Sequence, residues 1–515
     1  MQKSRALNTV RNSFVGMVGQ FFTLLFSFAS RTFFLYYLGA HNLGYDALFT
    51  NILSVLSIVD LGITTALTYA LYSSLHERNY SKTVAVVSYF KKIFVLIGIA
   101  LLLVSILISP FIPNLVKIEG DLDIEFLRIL FIMYAFNSFS TYFYVDMRTL
   151  LIADQKEFIL SLLDSGTKIL TKIGQICILY FFQNYILYIG IEIIFNIFSN
   201  IIICIHVYRE YHIKDMMGKY KLTKNEKKRL FSNIFYLCLN KVANTGINST
   251  DNIIISKIVG TATLGLYSNY SLIIGTGYAL VDKLIIGVTA SLGNLFVEND
   301  QKKQEKIIFS LQFMNSIFSS IVFIFLFIFT PQLIFLWLGK EMMLPLDVIF
   351  VVCINQYFYM VRKTLDIIMQ TKGVFKEIVP IKIMEMILNL AISVVFAMKF
   401  GLVGVFVGTT ISTIFSFLLV SKVLIRDTFH FAYKVYMICQ LKYFIINILC
   451  FVMIYFLLLF YKDISIFNFI FKFVVALILF VSINYFFYRK NENYIIFKQY
   501  IDLILKRIKS MEERK

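Results

Sequence analysis

The sequence is short of charge and of metal ligands. Only 16% of its 515 residues are charged, against 59% hydrophobic and 17% aromatic, and the mean hydropathy is +0.77. A soluble domain has about half apolar and a quarter charged residues, so a water-soluble globule is excluded and a polytopic membrane protein is implied. The six cysteines (Cys177, Cys204, Cys238, Cys353, Cys439 and Cys450) are scattered, mostly inside apolar runs, with no C-x-x-C spacing. They read as small apolar fillers rather than as a disulfide framework or a metal site. The five histidines are isolated, which removes a histidine ligand cluster. No G-x4-G-K-[ST] phosphate loop occurs, and no soluble stretch is large enough for a nucleotide-binding domain, so the chain is not itself an ATP-driven pump.

Catalysis is equally poorly provided for. The loops are too short on both faces to assemble a nucleophile with its base, and the chain reads as a non-enzyme. The one hint of enzymology is Asp121-Leu-Asp123 in an outer loop, where a membrane glycosyltransferase would hold a metal. A short acidic loop that obeys membrane topology accounts for the same residues.

What is present is apolar sequence in long runs. A spanning helix needs about twenty apolar residues and must satisfy its own backbone in lipid, so these runs read as about fourteen transmembrane helices. The first two cores fall at 14–37 and 45–71, the eleventh and twelfth at 376–398 and 402–424. Lys3, Arg5 and Arg11 precede an apolar run longer than a signal-peptide core, so the first span is expected to remain attached. The formal charge of +18 lies in short segments between spans, where orientation explains it better than nucleic acid does. When the spans alternate, the basic loops fall on one side, including 72–92, 209–230 and 297–306, and Glu119, Asp121, Asp123 and Glu125 lie on the other. Both termini are then cytoplasmic.

Two segments repeat. SRTFFLYYLGAHNLGYDALFTNI, residues 30–52, and the stretch 244–277 share a polar pair, an apolar run and then G-x4-G, with Gly39/Gly44 matching Gly260/Gly265 at a constant offset. Arg148, Leu150 and Gln155 recur as Arg362, Leu365 and Gln370. Two related halves follow. The expected division is an N-lobe at 1–208, a cytoplasmic linker at 209–230, a C-lobe at 231–425, two further helices within 426–488 and an amphipathic cytoplasmic tail at 489–515. Within the linker Thr223-Lys-Asn-Glu226 fits a capping box and predicts a short surface helix. The tail places Phe497, Ile501, Ile504, Ile508 and Met511 on one face, suiting the anionic inner leaflet.

Ionisable groups at membrane depth are costly and face a cavity or a partner helix. Arg31, Asp60, Asp164, Lys168, Lys172, Glu192, Lys241, Asp251, Asp282, Lys283, Lys382 and Glu385 are the residues to weigh. Asp164, Lys168 and Lys172 recur every fourth residue beside Ser161 and Ser165 and so share one helical face. An internal Asp164–Lys168 ion pair competes with a cavity role, and Lys172 has no local partner. Lys382 and Glu385, three apart, form either an ion pair or a cavity wall. A planar guanidinium at Arg31 suits a phosphate, with a pair to Asp251 or Asp60 as the structural alternative. Asp60, Glu192, Asp251 and Asp282 either hold a coupling H⁺ or Na⁺ or pair with nearby cations; no other cofactor is implied.

Leu38-Gly39 with Leu43-Gly44, Val59-Asp-Leu-Gly62, Leu151-Ile-Ala-Asp-Gln155 and Ser249-Thr-Asp-Asn-Ile-Ile-Ile-Ser256 with Gly260 and Gly265-Leu-Tyr-Ser-Asn269 carry a family resemblance. Over roughly residues 8–425 the chain resembles the polysaccharide transporter, or oligosaccharide flippase, family of the multidrug/oligosaccharidyl-lipid/polysaccharide exporters. The resemblance implies two six-helix lobes around a V-shaped cavity, two extra C-terminal helices and residence in the bacterial cytoplasmic membrane. It implies that undecaprenyl-diphosphate-linked oligosaccharide is moved from the inner to the outer leaflet for capsule, O-antigen or exopolysaccharide assembly. Membrane lipids, a polymerase and glycosyltransferases are the implied partners, and nucleic acid is not. On that reading Arg31, Lys168, Lys172, Lys241 and Lys283 attract the diphosphate. Two sister families stand as alternatives. Drug extruders commonly bind the coupling ion through cavity acids, and no acid lies in the first span here. Lipid II flippases usually carry several arginines in the first, second and eighth spans, where this chain has Arg31, none, and Lys283.

Overall fold

The computed structural model describes residues 2–57, 79–116, 124–154, 156–216, 218–224, 249–277, 300–459 and 465–495, with short pieces at 63–64, 67–68, 70–72, 74–75, 77 and 226–227, and side chains only from residue 18 onward. Every regular element among these residues is helical. The chain is an all-α polytopic membrane protein, and about fourteen spanning helices in two pseudo-symmetric lobes, with two more at the C-terminus included in that number, agree with the fold. Asp60, Asp121, Asp123, Lys241, Asp282, Lys283 and the amphipathic tail from 496 onward lie outside the described residues.

In the first half, α1 is Gln2–Leu56, α2 Tyr80–Ile108, α3 Ile124–Tyr142, α4 Val145–Ala153, α5 Glu157–Phe182 and α6 Tyr185–Glu210. In the second, α7 is Gln301–Leu338, α8 Leu346–Lys372, α9 Phe375–Ser421, α10 Tyr433–Leu459 and α11 Ile466–Tyr488. Seven described helices meet the length and hydropathy of a membrane span. α5 and α8 are missing from those seven although they run 26 and 27 residues, or about 40 Å, because they carry the charges discussed below. Phe467, Leu107 and Phe181, at 87%, 72% and 72% exposure, belong to an apolar outer surface that a bilayer would cover.

The breaks are written in local chemistry. α1 bends at Gly39, whose φ of 77° and ψ of 174° suit glycine, and α9 bends at Gly401, φ 58°. These are the two gaps expected between adjacent spans. α5 and α6 are joined by two residues only: Gln183 closes α5 in the left-handed region, and the Asn184 side chain accepts from Leu187 N at 3.1 Å to start α6. Thr223 and Glu226 form the expected reciprocal box, Thr223 N donating to Glu226 Oε2 at 2.8 Å and Glu226 N to Thr223 Oγ1 at 3.3 Å.

The chain forms two compact units, Met1–Gly265 and Leu266–Lys515. This division falls inside the stretch assigned from sequence to the C-lobe, because residues 249–265 are tied to the first half. The tie uses the repeated glycines. A Cβ on Gly44 would stand 2.0 Å from Thr261 O, and one on Gly265 would stand 2.1 Å from Ala40 O, so two backbones touch where side chains are absent. The contact is reciprocal: the second glycine of each motif meets the residue that follows the first glycine of the other. Ile255–Val259 is a π-helical turn leading into Gly260, φ 137°.

The second unit packs around Leu365, Ile368, Ile378, Val420, Leu424 and Tyr436, all fully buried. α10 and α11 dock on α7 through Phe313, whose ring meets Tyr443 at 5.3 Å and Tyr488 at 4.9 Å. Polar bonds fix the register: Gln312 donates to Gln440 at 3.1 Å and Asn447 to Ser316 Oγ at 3.1 Å.

Candidate functional site

The first unit carries a polar interior built by α1 and α3 to α6. α1 lies against α5, with Gly19 so close to Ser165 that a Cβ would stand 2.2 Å from its Oγ. From α5, Lys172 Nζ donates to Gln175 Oε1 at 2.8 Å and sits 5.9 Å from the Tyr188 ring centre. Gln175, buried, passes the interaction on: its Nε2 donates to Glu192 Oε2 at 2.9 Å. Glu192 also accepts from Asn137 at 3.3 Å, Asn137 accepts from Asn196 at 2.7 Å, and Asn196 accepts from Asn200 at 3.1 Å. Asn200 in turn accepts from Arg148 Nη1 at 3.0 Å, and the other guanidinium nitrogen binds Asp164. A connected ladder of side chains therefore runs from Lys172 to Asp164 through four helices. Amides suit such a ladder because each both donates and accepts.

A second group abuts it. Tyr134 donates to Asp46 and lies 3.1 Å from Tyr185 Oη, which donates to Asn42 O at 3.3 Å. Arg31 lies within electrostatic reach of Asp46, Tyr188, Tyr134 and Tyr185. Lys172 lies within reach of Tyr188, Glu192, Asp46 and Arg31 itself. Arg31 and Lys172, from separate helices, thus share one neighbourhood, and two carboxylates share it with them.

The sequence-derived candidates distribute unevenly. Arg31, Lys172 and Glu192 come together. Lys168 does not: it is exposed and forms no ion pair among the described residues. The Asp164–Lys168 pair is replaced by Arg148–Asp164, because an arginine on the adjacent α4 reaches the acid with better geometry than a lysine one turn away. Lys172 finds an amide and an aromatic face rather than no partner. Asp251 is buried, at 7% exposure, in the segment that leads to Gly260.

Asp46 was missed by the sequence reasoning, as were Asn137 and Gln175. Asp46 sits at the first residues of the second expected span, where an acid reads as a boundary residue. Its signal was position, two residues after Gly44, on the continuation of α1 past the bend. No acid lies in the first expected span itself, but Asp46 from the second reaches the same interior.

The second unit repeats the arginine motif with different burial. Arg362 Nη1 donates to Glu385 Oε1 at 2.5 Å, and Lys382 Nζ to Asp366 Oδ1 at 2.6 Å. Arg362, Lys382 and Glu385 are 2%, 1% and 0% exposed. Lys382 and Glu385, left open from sequence, are each paired across to α8. Both arginines of the repeat, Arg148 and Arg362, bind an acid on the helix that follows. No group of three or more His, Cys, Asp or Glu side chains suited to a metal occurs among the described residues.

Helices of spanning length around a charged, hydrogen-bonded interior define a multi-pass membrane protein. No protein-family profile and no curated relative matches the sequence. Solved structures do match. A lipid II flippase, MurJ, in an inward closed conformation aligns with TM-score 0.68 at 16% identity, over 92% of this chain and 99% of that one. An inward-facing multidrug resistance transporter of the MATE family, in the MOP superfamily, aligns with TM-score 0.65 at 14% identity, over 77% and 93%. A MOP superfamily transporter from Pyrococcus furiosus, reported with a binding pocket of reversed polarity that suggests a different function, aligns with TM-score 0.56 at 14% identity, over 80% and 93%. The fold is that of membrane flippases and transporters.

Proposed function

We propose that the protein is a flippase that moves undecaprenyl-diphosphate-linked oligosaccharide units across the bacterial cytoplasmic membrane for surface polysaccharide assembly, by alternating access, with both termini cytoplasmic. The observation that carries this reading is the shared neighbourhood of Arg31 and Lys172, two cations from different helices at membrane depth. A guanidinium beside an ammonium suits a diphosphate, and the lipid tail needs no site of its own because it stays in the bilayer. Lys241 and Lys283 keep the same proposed role. Lys168, being exposed, is expected to contribute less.

The carboxylates give the reading its coupling. Arg31, Lys172, Asp46 and Glu192 sum to zero formal charge, so the site as drawn has no net pull on an anion. Protonating one acid leaves a net positive charge. At about 5 Å and an effective dielectric of about 20, one unit of charge is worth about 3 kcal/mol per phosphate charge. Replacing Asp46 or Glu192 by its neutral amide is therefore expected to promote diphosphate binding. Asp60, Asp251 and Asp282 are further candidates for H⁺ or Na⁺.

The test is flipping of a polyprenyl-diphosphate oligosaccharide in proteoliposomes. Arg31→Gln and Lys172→Gln are expected to lower the rate at least tenfold with protein levels unchanged, and Glu192→Gln to tighten binding of the diphosphate. Wild-type flipping by both cation variants would overturn the assignment. Asp46 and Glu192 beside the cations also support a second reading, proton-coupled drug extrusion. Rescue of a drug-susceptible host, without rescue of a host lacking its oligosaccharide flippase, would select it.

A further inference from the structure

At its C-terminal end α6 breaks: His212 takes a left-handed φ of 47° and the chain continues into the short helix Ile213–Met216. The turn encloses an open cavity of about 630 Å³ between the last two turns of α6 and that helix. Its wall has two characters. Ile205 and Cys204 supply an apolar side continuous with the outer face of α6, Ile205 being 48% exposed. Arg209, Lys214 and His212 supply a basic rim, with Tyr208 between the two.

Asp215 also lines the cavity, and Glu210 at the end of α6 is committed elsewhere. Glu210 binds Lys156 at 2.6 Å and His206 at 3.1 Å, and Asp215 faces His212 at 3.7 Å. Arg209 and Lys214 form no ion pair among the described residues. Lys91 of α2 lies 5.9 Å from the centre of the Tyr208 ring, within electrostatic reach of Asp146. Two cations against one acid, a phenol and an exposed apolar strip at the end of a spanning helix match a phosphate ester that carries a hydrocarbon chain. A free anion would use the rim alone; a lipid uses the rim and the strip together.

We infer that this turn is a binding site for the phosphate headgroup of an anionic glycerophospholipid, with Arg209 and Lys214 on the phosphate, Tyr208 at the glycerol level and the first acyl carbons along Ile205. The site shares no residue with the neighbourhood of Arg31 and Lys172, and it holds a resident lipid whatever cargo the protein carries.

The experiment uses the full-length protein in neutral detergent, titrated with phosphatidylglycerol, phosphatidylcholine or inorganic phosphate, with thermal unfolding and native mass spectrometry as readouts. Phosphatidylglycerol is expected to raise the melting temperature and to remain bound in the gas phase, phosphatidylcholine to do so weakly, and phosphate not at all. Each cation near an anionic lipid is worth about fivefold in affinity, so Arg209→Gln with Lys214→Gln is expected to weaken phosphatidylglycerol binding roughly 25-fold. Lys214→Gln alone, at an exposed position that folding does not need, is expected to weaken it about fivefold. Lys219→Gln with Lys221→Gln, an equal charge change on the following segment, is expected to bind as wild type. Equal stabilisation by both lipids, wild-type binding by the double variant, or an equal loss in the control pair would overturn the site. Stabilisation by inorganic phosphate alone would make it a free-anion site and overturn the lipid assignment.

Discussion

Replacing Arg362 by leucine leaves Glu385 as a charge with no solvent exposure and without its guanidinium, while Glu385 Oε2 already lacks a hydrogen bond. Breaking one side of a buried pair costs about 3–5 kcal/mol, because the remaining charge stays desolvated. For a unit of this size 1 kcal/mol moves the melting temperature by about 2–4 °C, so a drop on the order of 10 °C is expected for Arg362→Leu. Removing both partners, Arg362→Leu with Glu385→Leu, removes the stranded charge and is expected to recover most of that loss. The same surgery in the first unit has a different outcome. Arg148 and Asp164 are 27% and 28% exposed, so solvent screens the pair and Arg148→Leu is expected to cost about 1 kcal/mol or less. Thermal unfolding of the three variants and the wild type in one detergent checks both halves. If Arg362→Leu melts like wild type, or the double variant melts no higher than the single one, the claim that this pair is a buried structural tie is wrong.

Two further outcomes follow from local geometry. Gly44→Ala or Gly265→Ala forces a methyl group against a carbonyl oxygen and is expected to cost about 1–3 kcal/mol, whereas Gly166→Ala, in a helix with nothing within 4 Å of the new carbon, is expected to be neutral or to stabilise by up to about 1 kcal/mol. Equal melting temperatures for Gly44→Ala and Gly166→Ala would remove the close approach from the argument. At the linker, the Thr223 backbone N–H, then the Tyr220 and Thr223 hydroxyls, hold the Glu226 carboxyl below its ordinary value. A depressed carboxyl contributes stability above its unfolded value and loses it as pH falls through the folded one, so amide protection at 223–227 is expected to fade below about pH 4. Glu226→Gln keeps an acceptor without a titrating group and is expected to retain protection there; a wild-type acid profile in that variant would exclude the carboxylate as the cause.

Much of the architecture is legible in the residues because lipid leaves few options for a long apolar run. The bends at Gly39 and Gly401, the two-residue turn at Gln183-Asn184 and the Thr223–Glu226 box are local events, and local sequence specifies them. The interior is less legible because its partners lie far apart in the chain. Periodicity placed Asp164 and Lys168 on one face, but it could not see Arg148 arriving from the previous helix. Nor could it rank Arg148–Asp164 against Arg362–Glu385, since burial depends on what surrounds each pair. Asn137, Asn196, Asn200 and Gln175 carry no charge and are common residues, so nothing in their spacing marks them as one ladder.

The glycine crossing has a consequence of its own. Where residues 40–44 meet 261–265 the backbones come into contact at Gly44 and Gly265, and the His41 ring reaches the Thr261 hydroxyl at 3.4 Å beside them. Each glycine there holds a place that no larger residue could take, so the spacing of the two stretches is set twice over, once from each copy of the motif.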